Sequence, residues 1–320
     1  MVAAAEKGYL ADMLSTLFRT GILAVAERHE IERLVRNSRF SRRLAERFVA
    51  GDSLGEALRV ARRLADQGLT STLDRLGENV LSLDEASRAV GHYAETLRGL
   101  ARDGLEPNIS VKLTMLGLDI RDEVAHDNMV VLLETAASMR GFVCIDMEGS
   151  AYTERTLAIA EALHDRFPQQ VGTVIQAYLH RSDRDVERLN EQNIPVRLVK
   201  GGYAEPASIA LQRPGEIDAA FVRLMERLLE NGSHPAIATH DPALIRATQG
   251  FALRMGIERG RWEFQMLYGV RRDAQRELAR EGYGMRVYVP FGSDWYPYFS
   301  RRIAERPGNL LFVLRQLAGG

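Results

Sequence analysis

The sequence predicts an α/β fold, a TIM-like (βα)₈ barrel preceded by N-terminal helices, and three observations predict it. Eight short apolar runs recur at intervals of about 25 to 40 residues, each followed by room for a helix. The runs are almost continuously apolar, as strands buried on both faces must be. Most of them end on a polar or glycine-bearing residue, and a closed parallel sheet would gather those ends on one rim. An open doubly wound sheet is the competing architecture, and it calls for a glycine-rich phosphate loop after the first strand. None is present: Gly282-Tyr283-Gly284 and Gly201-Gly202 lack the third glycine and follow the wrong elements.

In chain order, residues 1–65 are expected to form an N-terminal helical segment and residues 66–320 the catalytic barrel. Glu6, Lys7, Asp12 and Arg19 interrupt the apolar stretch that a signal peptide or a spanning helix would need. Leu10, Met13, Leu14, Leu17 and Phe18 recur at helical spacing, which fits an amphipathic helix packed on the body, with a peripheral membrane contact as the alternative. Glu30 to Phe48 is dense in arginine, and the next helix, Ser53 to Asp66, opens with Ser53 as N-cap and Glu56 in the capping-box position. The eight strands are expected at Leu69 to Leu73, Ile109 to Leu113, Phe142 to Met147, Val171 to Tyr178, Pro195 to Val199, Ala236 to Thr239, Glu263 to Leu267 and Met285 to Val289. A final helix follows Gly292. On it Tyr298, Arg301, Arg302 and Glu305 stand at i, i+3, i+4 and i+7, so a ring, two guanidiniums and a carboxylate share one face. That face suits a small zwitterion, although Arg to Glu pairs on a solvated helix would look the same.

Composition narrows the partners. Of 320 residues, 46% are hydrophobic, and 42 Lys plus Arg meet 43 Asp plus Glu for a formal charge of −1. No global field therefore favours nucleic acid or an anionic membrane. Cys144 is the single cysteine, which excludes an internal disulfide and a cysteine metal cluster and points to a reducing, cytoplasmic setting.

The rim residues carry the chemistry. Lys112 ends Ile109-Ser110-Val111 and could form a Schiff base, bind a carboxylate or pair with a rim acid. Asp146 follows Phe142-Val143-Cys144-Ile145 and must be paired to offset its desolvation; Lys112 is the expected partner. Arg197, inside the fifth apolar run, demands an acceptor, either a structural carboxylate or an electron-rich cofactor edge. Lys200-Gly201-Gly202-Tyr203 sets a charge beside backbone that a ligand can approach closely, a candidate pyrophosphate clamp. Thr239-His240-Asp241 carries a histidine that fits a hydrogen-bonded structural role as well as a site role, and with no third ligand at a recognisable spacing no metal is assigned.

Taken together, Ser110-Val111-Lys112-Leu113-Thr114, Ile145-Asp146-Met147-Glu148, Arg197-Leu198-Val199-Lys200-Gly201, Ala238-Thr239-His240-Asp241, Glu263 to Gly269 and the Tyr-x-x-Arg-Arg-x-x-Glu helix resemble the flavin-dependent proline dehydrogenases. The six strings keep the family's order over roughly residues 65–306, and the chain resembles the short, monofunctional bacterial form. The resemblance implies a distorted barrel, non-covalent FAD, and oxidation of L-proline to Δ1-pyrroline-5-carboxylate with electrons passed to a quinone-type acceptor. Carried over position by position, Arg301 and Arg302 hold the proline carboxylate with Lys112 nearby, Tyr288 and Tyr298 pack against the ring, and Glu305 orders that cluster. Asp146 becomes an active-site residue and Arg197 lies at the flavin N5 region, while Met147, Gln176, Lys200, Gly201, Gly202, Thr239 and His240 line the cofactor. Gly202 departs from the family pattern, which has alanine there. Asp146 is also a candidate for the group that takes the amine proton, but pairing with Lys112 would make it a poor base.

Overall fold

The computed structural model describes residues 45–77 and 79–304, and for residues 301–304 the backbone alone. The amphipathic stretch Leu10 to Phe18, most of the arginine-dense stretch and Glu305 lie outside the described residues, as do the side chains of Arg301 and Arg302. Strands β1 (Thr70–Arg75), β2 (Asn108–Val111), β3 (Phe142–Ile145), β4 (Val171–Gln176), β5 (Val196–Val199), β6 (Ala236–Ala238), β7 (Glu263–Leu267) and β8 (Gly284–Phe291) form a closed barrel in sequence order. Parallel pairing of β8 with β1, from Thr70 opposite Arg286 to Arg75 opposite Phe291, completes the closure. Each expected strand is present. β2, β3, β4 and β6 stop short of their expected ends because Lys112, Asp146, Ala177 and Thr239 already belong to the rim loops.

Helix α1 (Leu54–Ala65) precedes β1. Then come α2 (Leu83–Arg102), α3 (Asp122–Ala137), α4 (Ser150–Arg166), α5 (Ser182–Glu191), α6 (Pro214–Asn231), α7 (Pro242–Arg254) and α8 (Arg272–Arg280) in the successive crossovers, with α9 (Trp295–Ala304) after β8. The distortion lies in this last turn of the barrel. The outer face of β1 and β8 is covered by α1, whereas α9 packs over the C-terminal mouth, its Trp295, Tyr296 and Phe299 clustering with Leu76, Ala45 and Val49. α1 begins as expected: Ser53 Oγ accepts from Glu56 N at 3.4 Å and Glu56 Oε2 accepts from Ser53 N at 3.0 Å, a reciprocal capping box. Ser53→Ala is expected to cost about 1 kcal/mol in urea unfolding, with activity unchanged.

Strand alternation sorts the core into two zones. Leu73, Ile109, Val143, Leu198, Phe264 and Val287, all fully buried, belong to the apolar cluster shared with the helix layer. The barrel interior is polar. Arg286 Nε donates to Glu263 at 2.8 Å and its NH2 to Glu106 at 3.0 Å, while the Thr72 and Ser110 hydroxyls lie 3.3 Å apart. Buried charges of this kind persist only when paired.

Candidate active site

A cavity of about 540 Å³ opens at the C-terminal mouth of the barrel, where the strand ends converge. Lys112, Asp146, Met147, Gln176, Arg197, Lys200, Gly201, Gly202, Thr239, His240, Tyr288 and Tyr298 all line it. These are twelve of the expected site residues, contributed by loops and strands far apart in sequence. Arg301 and Arg302 follow Tyr298 on α9, the helix that covers this mouth.

Arg197 is the hub. Its NH1 donates to Asp146 Oδ1 at 2.7 Å and its NH2 to Ser110 Oγ at 2.9 Å, and its guanidinium carbon lies 5.3 Å from the centre of the Tyr288 ring. Burial opposes the charge, but Cys144, Asp146 and Tyr288 around it more than offset that and push its pKa up. Tyr288 Oη donates to the other Asp146 oxygen at 2.6 Å. Burial, then Asp146 and Asp74, raise the Tyr288 phenol well above its ordinary value, so it remains a donor.

Lys112 does not pair with Asp146 as expected. Its Nζ donates to both oxygens of Asp74, at 3.1 and 3.2 Å. β2 runs between β1 and β3, so either acid was within reach; Asp146 is instead engaged by Arg197 reaching across the barrel from β5. Asp74 is thus a site residue that the sequence reading passed over. It is an acid directly after an expected strand, Leu69 to Leu73, and it lies inside β1 one residue before the strand ends at Arg75.

The opposite side of the cavity is held by loop contacts. Gln176 Nε2 donates to Glu148 O at 3.0 Å and its Oε1 accepts from Gly202 N at 3.2 Å, tying the β3, β4 and β5 loops together. Lys200 Nζ lies 2.5 Å from Asp218 and 3.0 Å from Asp241. Burial disfavours its charge, yet those two carboxylates outweigh that and raise its pKa. His240 Nε2 accepts the Leu267 backbone N–H at 2.8 Å, which puts the proton of the neutral ring on Nδ1. Among the described residues no group of His, Cys, Asp and Glu is arranged to hold a metal.

Two features fit a large ligand that carries both hydrogen-bond acceptors and donors. Arg197 Nε and Gln265 Oε1 are buried in the lining without a hydrogen-bond partner among the described residues. Such groups are costly to leave unsatisfied. Gly201 has φ +131°, and a Cβ there would sit 2.3 Å from the Tyr178 ring, so only glycine allows this close backbone turn at the cavity wall.

Comparison with known proteins agrees with this geometry. A family model described as proline dehydrogenase matches residues 57–315. The chain is 41% identical to Proline dehydrogenase 1 of Bacillus subtilis subsp. natto over 271 residues, 85% of this chain and 89% of that protein. It is 39% identical to Proline dehydrogenase of Deinococcus radiodurans over 313 residues, 96% of this chain and 100% of that protein. A solved structure of proline utilization A from Bdellovibrio bacteriovorus, inactivated by N-propargylglycine, is similar with a TM-score of 0.78 at 26% identity. That similarity covers 92% of this chain and 37% of the longer one. With the barrel, the cavity at its C-terminal mouth and relatives aligned over most of their length, the chain belongs to the proline dehydrogenase family.

Proposed function

We propose that this enzyme of proline catabolism oxidises L-proline to Δ1-pyrroline-5-carboxylate with FAD bound in the mouth of the barrel, and passes the electrons to a quinone-type acceptor. The observation that carries the reading is the convergence of Lys112, Asp146, Arg197 and Tyr288 on one cavity that also has unsatisfied polar groups in its wall. When bound, FAD supplies a hydride acceptor, which no protein side chain can provide. Met147, Gln176, Arg197, Lys200, Gly201, Gly202, Thr239 and His240 are the residues that would hold it, with Arg197 Nε turned to its electron-rich edge. Arg197 keeps its charge through Asp146, and a fixed cation there stabilises negative charge that develops on reduction.

Arg301 and Arg302, with Lys112, take the proline carboxylate, and Tyr288 and Tyr298 pack against the ring, with Glu305 ordering the charged cluster. Fixing the carboxylate at one end orients the carbon that gives up hydride. Asp146 acts by positioning: both of its oxygens are engaged, one by Arg197 and one by Tyr288, which weighs against it as the acceptor of the amine proton. Residues 66–320 form the catalytic barrel in this reading, and residues 1–65 a helical segment whose described part, α1, seals β1 against β8. Among the described residues no helix is long and apolar enough to cross a membrane. We place the enzyme in the cytoplasm, with peripheral contact at the inner face of the membrane as its route to a quinone.

The test is a visible absorption spectrum. Purified protein is expected to be yellow, to lose its flavin absorbance on anaerobic addition of L-proline, and to reduce a dye. A colourless protein that takes up no added FAD would remove the proposal.

A further inference from the structure

We infer that Asp74 is the positioning residue for Lys112, and through it for the proline carboxylate; this rests on the reading of Lys112 as a carboxylate-binding group. Asp74, the penultimate residue of β1, is 1% exposed and meets the Lys112 ammonium with both oxygens, at 3.1 and 3.2 Å. Lys112 is itself buried, at the point where the chain leaves β2 for the short turn Leu113–Leu116. A buried ammonium on a four-carbon stem has two needs that its own backbone cannot meet, a counter-charge and a fixed direction. Asp74 supplies both from the neighbouring strand.

Among the described residues, the ionisable groups that also face this pair are Asp146 from β3, Tyr288 from β8 and Tyr93 from α2, with Arg197 behind Asp146. Arg197 answers Asp146, and the two tyrosines are held as neutral phenols, their pKa raised chiefly by burial, Tyr93 with its hydroxyl turned to Arg75 O at 3.5 Å. Burial pushes the Asp74 pKa up, and Lys112 opposes that rise, so each member of the pair depends on the other for its charge.

Steady-state kinetics on the FAD-loaded full chain, from pH 6 to 9, compare wild type with Asp74→Asn, Asp74→Glu, Lys112→Met and the double variant Asp74→Asn/Lys112→Met. Asp74→Asn is expected to raise KM for L-proline about tenfold or more, with kcat changed far less, because a charged hydrogen bond that orients the ammonium is gone. Its KM should also climb more steeply with pH than that of wild type, since a buried ammonium that has lost a carboxylate neighbour gives up its proton more readily. Asp74→Glu keeps the charge and should recover part of the loss, without the added pH dependence. The double variant should be no worse than Lys112→Met, as expected of residues acting as a unit.

An unchanged KM in Asp74→Asn while Lys112→Met raises it would overturn the inference and leave the assignment of Lys112 intact. An unchanged KM in Lys112→Met would instead remove that assignment. If Asp74→Asn does not fold, Asp74→Glu decides: a raised KM with kcat retained supports the positioning role, and wild-type kinetics sink it.

Discussion

Arg197→Met is expected to lower kcat by about a hundred- to a thousandfold, the range seen when a preorganised charge at the reacting centre is removed. Three contacts are lost together: the 2.7 Å bond to Asp146, the 2.9 Å bond to Ser110 and the stacking on Tyr288. Methionine matches the stem in bulk, so the cavity wall is retained while the charge is not. Asp146 is left with the Tyr288 hydroxyl alone, at a position where its side chain is 13% exposed. Removing one member of a buried pair costs about 3 to 5 kcal/mol, and the lower end applies here because the pair borders an open cavity. The variant should therefore melt earlier as well as turn over slowly. Arg197→Lys keeps the charge without the planar fork that reaches Asp146 and Ser110 at once, so its kcat should fall between the two. Stopped-flow reduction by L-proline and a thermal melt of each variant check this. A kcat for Arg197→Met within twofold of wild type would mean that the guanidinium only fills the barrel.

The second large effect is expected at Gly201→Ala, which should lose most of its flavin and several kcal/mol of stability. At φ +131° any side chain strains the backbone, at about 1 to 3 kcal/mol. The added Cβ also falls 2.3 Å from the Tyr178 ring. That ring cannot swing away cheaply, because it packs with Leu179 and Ala210 and its hydroxyl donates to Tyr203 O at 3.3 Å. Overpacking of this kind costs a further 1 to 3 kcal/mol or so. The loop must move instead, taking with it the Gly202 N–H held by Gln176 and the Lys200 ammonium held between Asp218 and Asp241. Gly202→Ala is the control. A Cβ there meets nothing within 4 Å, so this neighbouring substitution should keep its flavin and its melting temperature. The flavin-to-protein absorbance ratio and a melting curve of both variants measure the contrast; equal flavin content in the two would show that the Gly201 turn is not needed for the cofactor.

Much of this was legible in the residues. Burial on both faces writes itself as short apolar runs, and eight of them at barrel spacing gave the architecture, the order of strands and the rim. A polar or charged residue ending such a run has few places to go but the mouth, and for that reason the positions of Lys112, Asp146 and His240 are readable from the sequence. The capping box of α1 was likewise a local pattern read from Ser53 and Glu56. Asp74 was missed because the expected strand before it, Leu69 to Leu73, is short and has Thr70-Ser71-Thr72 at its centre, so no apolar run pointed to its end.

Composition and periodicity determined the barrel and the need of each buried charge for a partner, and the family resemblance named most of the residues that line the cavity. Only the tertiary structure decided who pairs with whom: Lys112 with Asp74 one strand away, Asp146 with Arg197 two strands away, and α1 rather than α9 against β1 and β8. Desolvation is a property of one side chain and its run of neighbours, and a linear sequence displays it. Pairing depends on which atoms the closed sheet brings within about 3 Å, and small differences in strand register and reach decide between acids that the sequence presents as equivalent.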